Sequence, residues 1–415
     1  MTASAWTSEE LRARLRLLEG FEGDLDTSRL ARLLYSQDAS IYEEDPLGAA
    51  RPRHAEDCAR LVRFAAENGI PLIPRAGGTS LAGQCVGRGL VVDVSRYMNR
   101  LVAIDPDDRT AVVEPGVIQD DLNDAAAAHG LMFAPDTSTS KQANIGGMIG
   151  NNSCGSYSIL YGTTREHVLE VSALLGDGSE AVFGPVDDDA LRAKAEQDNR
   201  EGMIYRDLLR LVGEHRERIL DDFPKPQIKR RNMGYPLDLL ARSRPFDPDG
   251  PPFNLARFVC GTEGTLCLVT RAKVRLTPRP KKRLLMCAHF HSVDEACRAT
   301  VECLHFQPAA VELMDGVLLE ATRHNREQTA NRFWVEGEPG AVLAIEFRGD
   351  EASNPALRAA ELADHLRARS LGYAFPLIEA RDIERVWALR KAGLGLLTGI
   401  PGDRKPSTGL EDCAV

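Results

Sequence analysis

Apolar and polar positions along this chain fall into blocks that predict a mixed fold. Leu11, Leu15 and Leu18 recur at helical spacing behind Thr7 and Glu10, which stand as a capping box, so Thr7–Leu18 is expected to be a surface helix. Glu56–Asn68 repeats the pattern with Cys58, Leu61, Val62, Ala65 and Ala66 on one side. Apolar runs at Ile70–Ile73 and Leu90–Val94 read as strands, making a strand, helix, strand entry. Leu101–Val117 is strand-rich around a DPDDRT turn, Ile118–His129 returns to helix, and Val168–Val182 forms a hairpin about GDG. Asp187–Arg200 is charged and expected to be mobile, and Tyr205–Leu220 is a helix with its charges outward. The proline-rich stretch Pro224–Pro252 is a long connection, and long ordered connections are often functional. After Arg279-Pro280-Lys281 the composition shifts. Strands at Leu284–Phe290, Ala309–Leu313 and Ala341–Arg348 then alternate with helices at Val293–Phe306 and Leu357–Ser370, a second unit of strands and helices.

Between the first two strands lies Pro74–Gln84, PRAGGTSLAGQ. Gly77, Gly78 and Gly83 can take positive φ and carry no Cβ, so main-chain N–H groups can converge on an anion, with the hydroxyls of Thr79 and Ser80 beside them. Such a loop suits a pyrophosphate, although a purely structural glycine turn would have the same composition. It is not a P-loop, because Gln84 and Cys85 stand where Lys and Ser or Thr are needed. The one loose dinucleotide pattern, Gly176, Gly178 and Ala181, runs on into a strand instead of a helix. A second glycine-rich loop, Ser138–Gly155, mixes Gly146, Gly147, Gly150 and Gly155 with Thr139, Ser140, Asn144, Asn151 and Asn152, suited to holding a flat, polar-edged ring against backbone. A third piece, Val259–Val269, is strand-like with interruptions at Gly261 and Gly264.

A chain of 415 residues exceeds one typical core, so more than one domain is expected. With 51 Lys and Arg against 61 Asp and Glu, the net charge of -10 argues against nucleic acid as a partner. The short basic pieces Lys225–Arg231 and Arg279–Arg283 read as solvated loops. Nine cysteines are scattered with no two three apart, so the chain has neither a Cys-x-x-Cys site nor an iron–sulfur run, and they are expected as reduced, buried thiols. Cys154 has no histidine near it in sequence and reads as structural. No stretch has the length of a membrane span and the N-terminus is no signal peptide. The expected location is the cytoplasm, allowing for peripheral contact at a membrane.

The blocks PRAGGTSLAGQ, VVDVSRYMNRLVAID, VEPGV, PDTSTSKQANIGGMIGNNSCGSYSILYG and GTEGTLCLVT, in that order, resemble the PCMH-type FAD-binding domain of the vanillyl-alcohol-oxidase flavoproteins. The resemblance is greatest to the D-lactate, glycolate and D-2-hydroxyglutarate dehydrogenase branch and covers about Ser36–Val415. The tail WALRKAGLGLLTGIPGDRKPSTGLEDCAV resembles large bacterial members in which a flavin half is fused to an iron–sulfur half. The fold this implies is α+β: an N-terminal helical extension over residues 1–45, a two-subdomain FAD-binding domain over 46–280, and an incomplete α+β cap over 281–415. In the family the cap runs on past the position of Val415 into a Gly-His-x-x-Asp-Gly-Asn-x-His-like metal and base motif, which has no counterpart among these residues.

The resemblance implies noncovalent FAD, since the first loop has no histidine to attach it, and places any iron–sulfur cluster in a further C-terminal part or a partner. It puts Ala76, Gly77, Gly78, Thr79 and Ser80 on the pyrophosphate, with Arg75 also a cofactor contact. Pro135 and Asp136 would lie near the isoalloxazine. Gly146, Gly147, Asn152 and Gly155 would follow the flavin and ribityl path, with Ser140 and Asn151 also in contact, and Glu263 and Gly264 would lie toward the adenosine. Asp136 also reads as a turn former, and Glu263 as a helix cap or an arginine partner. Tyr161 packs near the cofactor or serves as a core or turn tyrosine. The substrate carboxylate would be gripped by Arg390 and Lys405, Arg390 being the better anchor through bidentate geometry or, alternatively, a solvated helix-face charge. Leu394 stands where 2-hydroxyglutarate-type members tend to have Thr, so a second carboxylate need not be recognised in the same way. The implied function is oxidation of a 2-hydroxy acid, such as D-lactate, glycolate or D-2-hydroxyglutarate, to the 2-oxo acid, with electrons passed to an acceptor module or quinone. The alternatives are a noncatalytic FAD-binding or electron-transfer subunit and a same-fold enzyme without net oxidation, such as an ether-lipid synthase relative.

Overall fold

In the computed structural model, which describes residues 6–228, 231, 234–350 and 352–403, one unit holds the residues up to Gly155 and Gly162–Pro278. A second holds Ser156–Tyr161 and, from Arg279, the rest of the described chain.

The first unit opens with helix Ser8–Leu15, where Thr7 and Glu10 form the expected capping box and Leu11 and Leu15 are buried. The first 45 residues are not helical throughout, because strand β1 (Asp24–Asp26) pairs antiparallel with β2 (Gly48–Arg51). Helix Ala55–Asn68 then leads to β3 (Leu72–Arg75), and β4 (Leu90–Asp93) lies between β2 and β3, parallel to both. The helix buries Cys58, Leu61, Val62, Phe64 and Ala65. Ala66, in its last turn, faces solvent instead of the core. Gly69 ends the helix at φ 64°, its N–H returning to the carbonyls of Ala65 and Ala66.

A second sheet in this unit is antiparallel. Its strands are β5 (Leu101–Asp105), β6 (Thr110–Val113), β7 (Val168–Leu174), β8 (Glu180–Phe183) and β9 (Leu268–Arg275), in the order β5-β6-β9-β7-β8. β7 and β8 are the expected hairpin. Val259–Val269 is not an interrupted strand: helix Leu255–Val259 gives way at Cys260 to a turn through Gly261 and Gly264, and β9 starts only at Leu268. Asp187–Arg200 is largely helix, Asp188–Ala195. Asp187 caps it by accepting from Ala190 N, and the acidic first turn and basic last turn suit the helix dipole. Pro224–Pro252 likewise carries a short helix, Leu237–Ala241.

The second unit is built on β10 (Lys282–Phe290), β11 (Ala310–Asp315), β12 (Ala341–Gly349) and β13 (Leu377–Glu379), antiparallel in the order β11-β12-β10-β13. Side chains alternate between its faces. Met286, Ala288, Leu343, Ile345 and Phe347 pack on one face, with Ala299 and Leu362 from helices Val293–Leu304 and Pro355–Ala368. Leu285, Cys287, Ala310, Met314 and Ala344 pack on the other, with Leu318, Val386 and Trp387 from helices Gly316–Arg323 and Ala380–Lys391. No helix among the described residues is long and apolar enough to cross a membrane. None of the eight described cysteines forms a disulfide; Cys297 is exposed and Cys154 half-buried, so not all are the buried thiols expected.

Candidate functional sites

β3 leads straight into the loop from Ala76 to Ser80. Gly78 adopts φ 63°, and a Cβ there would stand 2.5 Å from Nη2 of Arg75. Gly77 passes so close to Gln142 that a Cβ would overlap its carbonyl oxygen, and Asn144 Oδ1 would be 3.1 Å away. The main-chain N–H groups of Ala76, Gly77, Gly78 and Thr79 donate to no group of the described residues. On this half-exposed loop water can meet these amides, and adjacent donors of this kind can converge on an anion. Arg75 is held beside them by donating Nη1 to the Gln37 carbonyl at 2.8 Å and lying over the Tyr35 ring at 5.3 Å. Ser80 turns its hydroxyl onto Gln84.

The stretch Ser138–Gly155 is only partly loop. Ile145–Asn151 is a helix containing Gly146, Gly147 and Gly150, closed by Asn152 at φ 55°. Gly146 is there for approach, since a Cβ on it would meet Pro115 Cβ at 2.5 Å, whereas one on Gly147 would only touch Ala76 Cβ at 3.4 Å. On another side Glu263, itself at φ 53°, donates its N–H to the Gly150 carbonyl at 2.9 Å and accepts from Asn151 Nδ2 at 3.1 Å. Gly264, at φ 70°, lies against the Pro74 ring. Asn152 is wholly buried. Its Oδ1 accepts from Thr163 Oγ1 and Arg165 N, both at 2.9 Å, while its Nδ2 has no partner among the described residues. Gly155 packs on the Asp136 carbonyl, Pro135 accepts from Gln119 Nε2 at 2.6 Å, and the Ser140 carbonyl accepts from Asp120 N at 3.1 Å.

The structure thus brings residues 75–80, 146–152 and 263–264 around one short helix, with 135–136 and 155 packed together nearby in sequence. This arrangement fits a flavin dinucleotide. A diphosphate would accept from the amides of residues 76–79 next to the Arg75 cation.

In the second unit Arg390, on helix Ala380–Lys391, is not a solvated charge. It pairs with Glu312 of β11, Nη2 at 2.8 Å and Nε at 3.1 Å from the same oxygen. Lys405 lies outside the described residues, as does the side chain of Leu394. A larger group sits on the same sheet face and was not read from the sequence. Glu346 of β12 is fully buried. It accepts from Arg283 Nε at 2.9 Å, Arg348 Nε at 2.7 Å, Tyr157 OH at 2.8 Å and Trp387 Nε1 at 2.7 Å. Arg283, assigned above to a solvated basic loop, instead starts β10 and spends its remaining donors on Glu384 and Glu346. The Arg231 of the other basic piece is likewise paired, with Asp238. Burial by itself would raise the Glu346 carboxyl, but the bonds and charge of Arg283 and Arg348 outweigh it and hold it below its ordinary value. Tyr157, half-buried and facing that carboxylate, is pushed well up by desolvation and the Glu346 charge and stays a phenol. Tyr161 belongs to the same group, with the Arg348 guanidinium 5.9 Å from its ring centre. The available signal was a Glu and an Arg two apart in the otherwise apolar strand AVLAIEFRG, a spacing that puts both on one face.

Residues 46–184 match the family model described as an FAD binding domain, and residues 279–415 match the one described as the C-terminal domain of FAD linked oxidases. The chain is 35% identical over 410 residues to a D-2-hydroxyglutarate dehydrogenase of Pantoea ananatis, covering 96% of this chain and 39% of that protein. It is 26% identical to the glycolate oxidase subunit GlcD of Bacillus subtilis, covering 98% of this chain and 73% of the relative. The chain therefore spans about two fifths of the length of the first of these relatives. A solved alkyldihydroxyacetonephosphate synthase superposes with a TM-score of 0.63 at 16% identity, over 93% of this chain and 64% of that one, which establishes a shared fold.

Proposed function

Since this chain belongs to the FAD-linked oxidase family, we propose that it is the flavin-carrying part of an oxidoreductase that converts a D-2-hydroxy acid to the 2-oxo acid. The observation that carries this reading is the row of unmet amides from Ala76 to Thr79 beside Arg75, gathered with Asn152 and Glu263 around one glycine-bearing helix. Bound FAD would supply the hydride-accepting chemistry, and the hydroxyl proton would go to a base supplied from outside these residues. The protein's share is position and charge. Residues 75–79 hold the diphosphate, Asn152 and Gly155 lie along the flavin, and Asn151 and Glu263 brace the helix between them. Arg390 takes the substrate carboxylate next to the hydroxyl-bearing carbon, with Lys405 as a second cation. Glu312 is a positioning residue that fixes the plane of the Arg390 guanidinium and leaves Nη1 for the substrate. The electrons pass to an iron–sulfur module or quinone outside this chain, in the cytoplasm or at a membrane surface.

Anaerobic mixing of the FAD-loaded protein with D- and L-lactate, glycolate and D-2-hydroxyglutarate tests the reaction. Bleaching of the flavin by D-acids is expected, and no bleaching with any of them in a protein extended past Val415 through the base motif would make the chain a noncatalytic flavin carrier. Arg390→Ala should raise KM by about 30-fold, the equivalent of about 2 kcal/mol for a lost charged contact, with FAD content unchanged. An unaltered KM would remove Arg390 from the site.

A further inference from the structure

Arg348 is the one member of the buried cluster whose hydrogen-bonding capacity is mostly unspent. Its side chain retains only 9% of its exposure, its Nε donates to Glu346, and its guanidinium carbon lies 3.4 Å from the centre of the Tyr157 ring. Neither Nη1 nor Nη2 donates to any described residue. Neither is sealed off, for Arg348 contributes no atom to the set of enclosed unpartnered groups. Glu346 cannot absorb more, being already met by Arg283, Tyr157 and Trp387. Glu384 is held by Arg283 and is two-thirds exposed. The buried group therefore combines the cations Arg283 and Arg348 with a single enclosed carboxylate, and the excess positive charge sits on the open edge of Arg348. A nearly buried guanidinium with a free Nη pair is a bidentate receptor for a carboxylate.

The sheet register relates this edge to the Arg390 pair. Ala310 of β11 stands opposite Glu346, and Glu312 opposite Ala344. Glu312, which holds Arg390, and Glu346, which holds Arg348, are thus diagonal neighbours on the same face, about 7–8 Å apart at their Cα atoms. That is the scale of a five-carbon chain with a carboxylate at each end. We propose that Arg348, fixed by Glu346 and Tyr157, binds the distal carboxylate of a dicarboxylic 2-hydroxy acid whose proximal carboxylate is held by Arg390. The proposal rests on the reading of Arg390 as the proximal anchor. It supplies a second-carboxylate contact in a chain that has Leu394 where a hydroxyl-bearing residue would otherwise serve.

The test uses FAD-loaded protein and Arg348→Met, with Arg348→Lys as the conservative variant. The ratio of kcat/KM for D-2-hydroxyglutarate to that for D-lactate should fall about 100-fold in Arg348→Met, the loss expected when a site built to bind a polar group loses its partner, and should recover in part in Arg348→Lys. A ratio that does not move overturns the proposal, because a purely structural arginine would depress both substrates together. Binding of glutarate and of butyrate, followed by the perturbation of the flavin spectrum, separates this from failure of the reaction itself. If no hydroxy acid is oxidised but glutarate binds more tightly than butyrate, and does so only with Arg348 present, the receptor stands while the dehydrogenase reading falls. Equal binding of the two acids, with or without Arg348, overturns the receptor.

Discussion

Gly78→Asp is expected to give a folded, colourless protein that retains no FAD. At φ 63° an aspartate is strained by about 1–2 kcal/mol, its Cβ would press on the Arg75 guanidinium at 2.5 Å, and its carboxylate would take the place offered to a diphosphate. Arg75 would then pair with the new carboxylate instead of the cofactor. The measurement is the FAD-to-protein ratio after purification and after titration with added FAD, alongside a circular dichroism spectrum. Gly78→Ala separates strain from charge and should weaken retention without abolishing it. A yellow, fully loaded Gly78→Asp protein would take the loop off the cofactor.

Glu346→Gln should destabilise the second unit by about 3–5 kcal/mol, since removing the charge leaves Arg283 and Arg348 without their enclosed counter-ion. The pH dependence follows from the direction of the carboxyl's shift. Its folded pKa lies below the ordinary 4.5, so the unfolded chain binds the proton more readily. The stability it contributes is therefore present in full above pH 4.5 and is lost as pH falls through the folded value. Wild type should lose denaturant resistance steeply on that acid limb. Glu346→Gln should start lower and fall less. Parallel limbs in the two proteins would show that the group is not the source of the acid sensitivity.

Local chemistry was legible in the sequence, and partners distant in sequence were not. Thr7 with Glu10, the β7–β8 hairpin and the positive φ of Gly78 each follow from a few adjacent residues. The sequence of helix Ile145–Asn151 reads as loop because glycine disfavours helix by about 1 kcal/mol per residue. Close packing of Gly146 against Pro115, where a Cβ would not fit, favours glycine there all the same. Arg283 reads as solvent-facing, and nothing in the sequence pairs Arg390 with a carboxylate of the chain, because their partners, Glu346 and Glu312, lie 63 and 78 residues away. Only the spacing of Glu346 and Arg348 within one apolar strand carried a trace of the cluster.

Tyr157 and its neighbours Ser156–Tyr161 belong to the second unit although the residues on both sides of them belong to the first. The carboxylate that Tyr157 serves lies 189 residues further along. At about 5–20 residues per second, a ribosome would emit that tyrosine roughly 10–40 s before its acceptor exists. The sandwich around β10–β13 thus depends on a piece of chain translated long before it, and a gene fragment starting at Arg279 would encode a domain missing one wall of its polar interior.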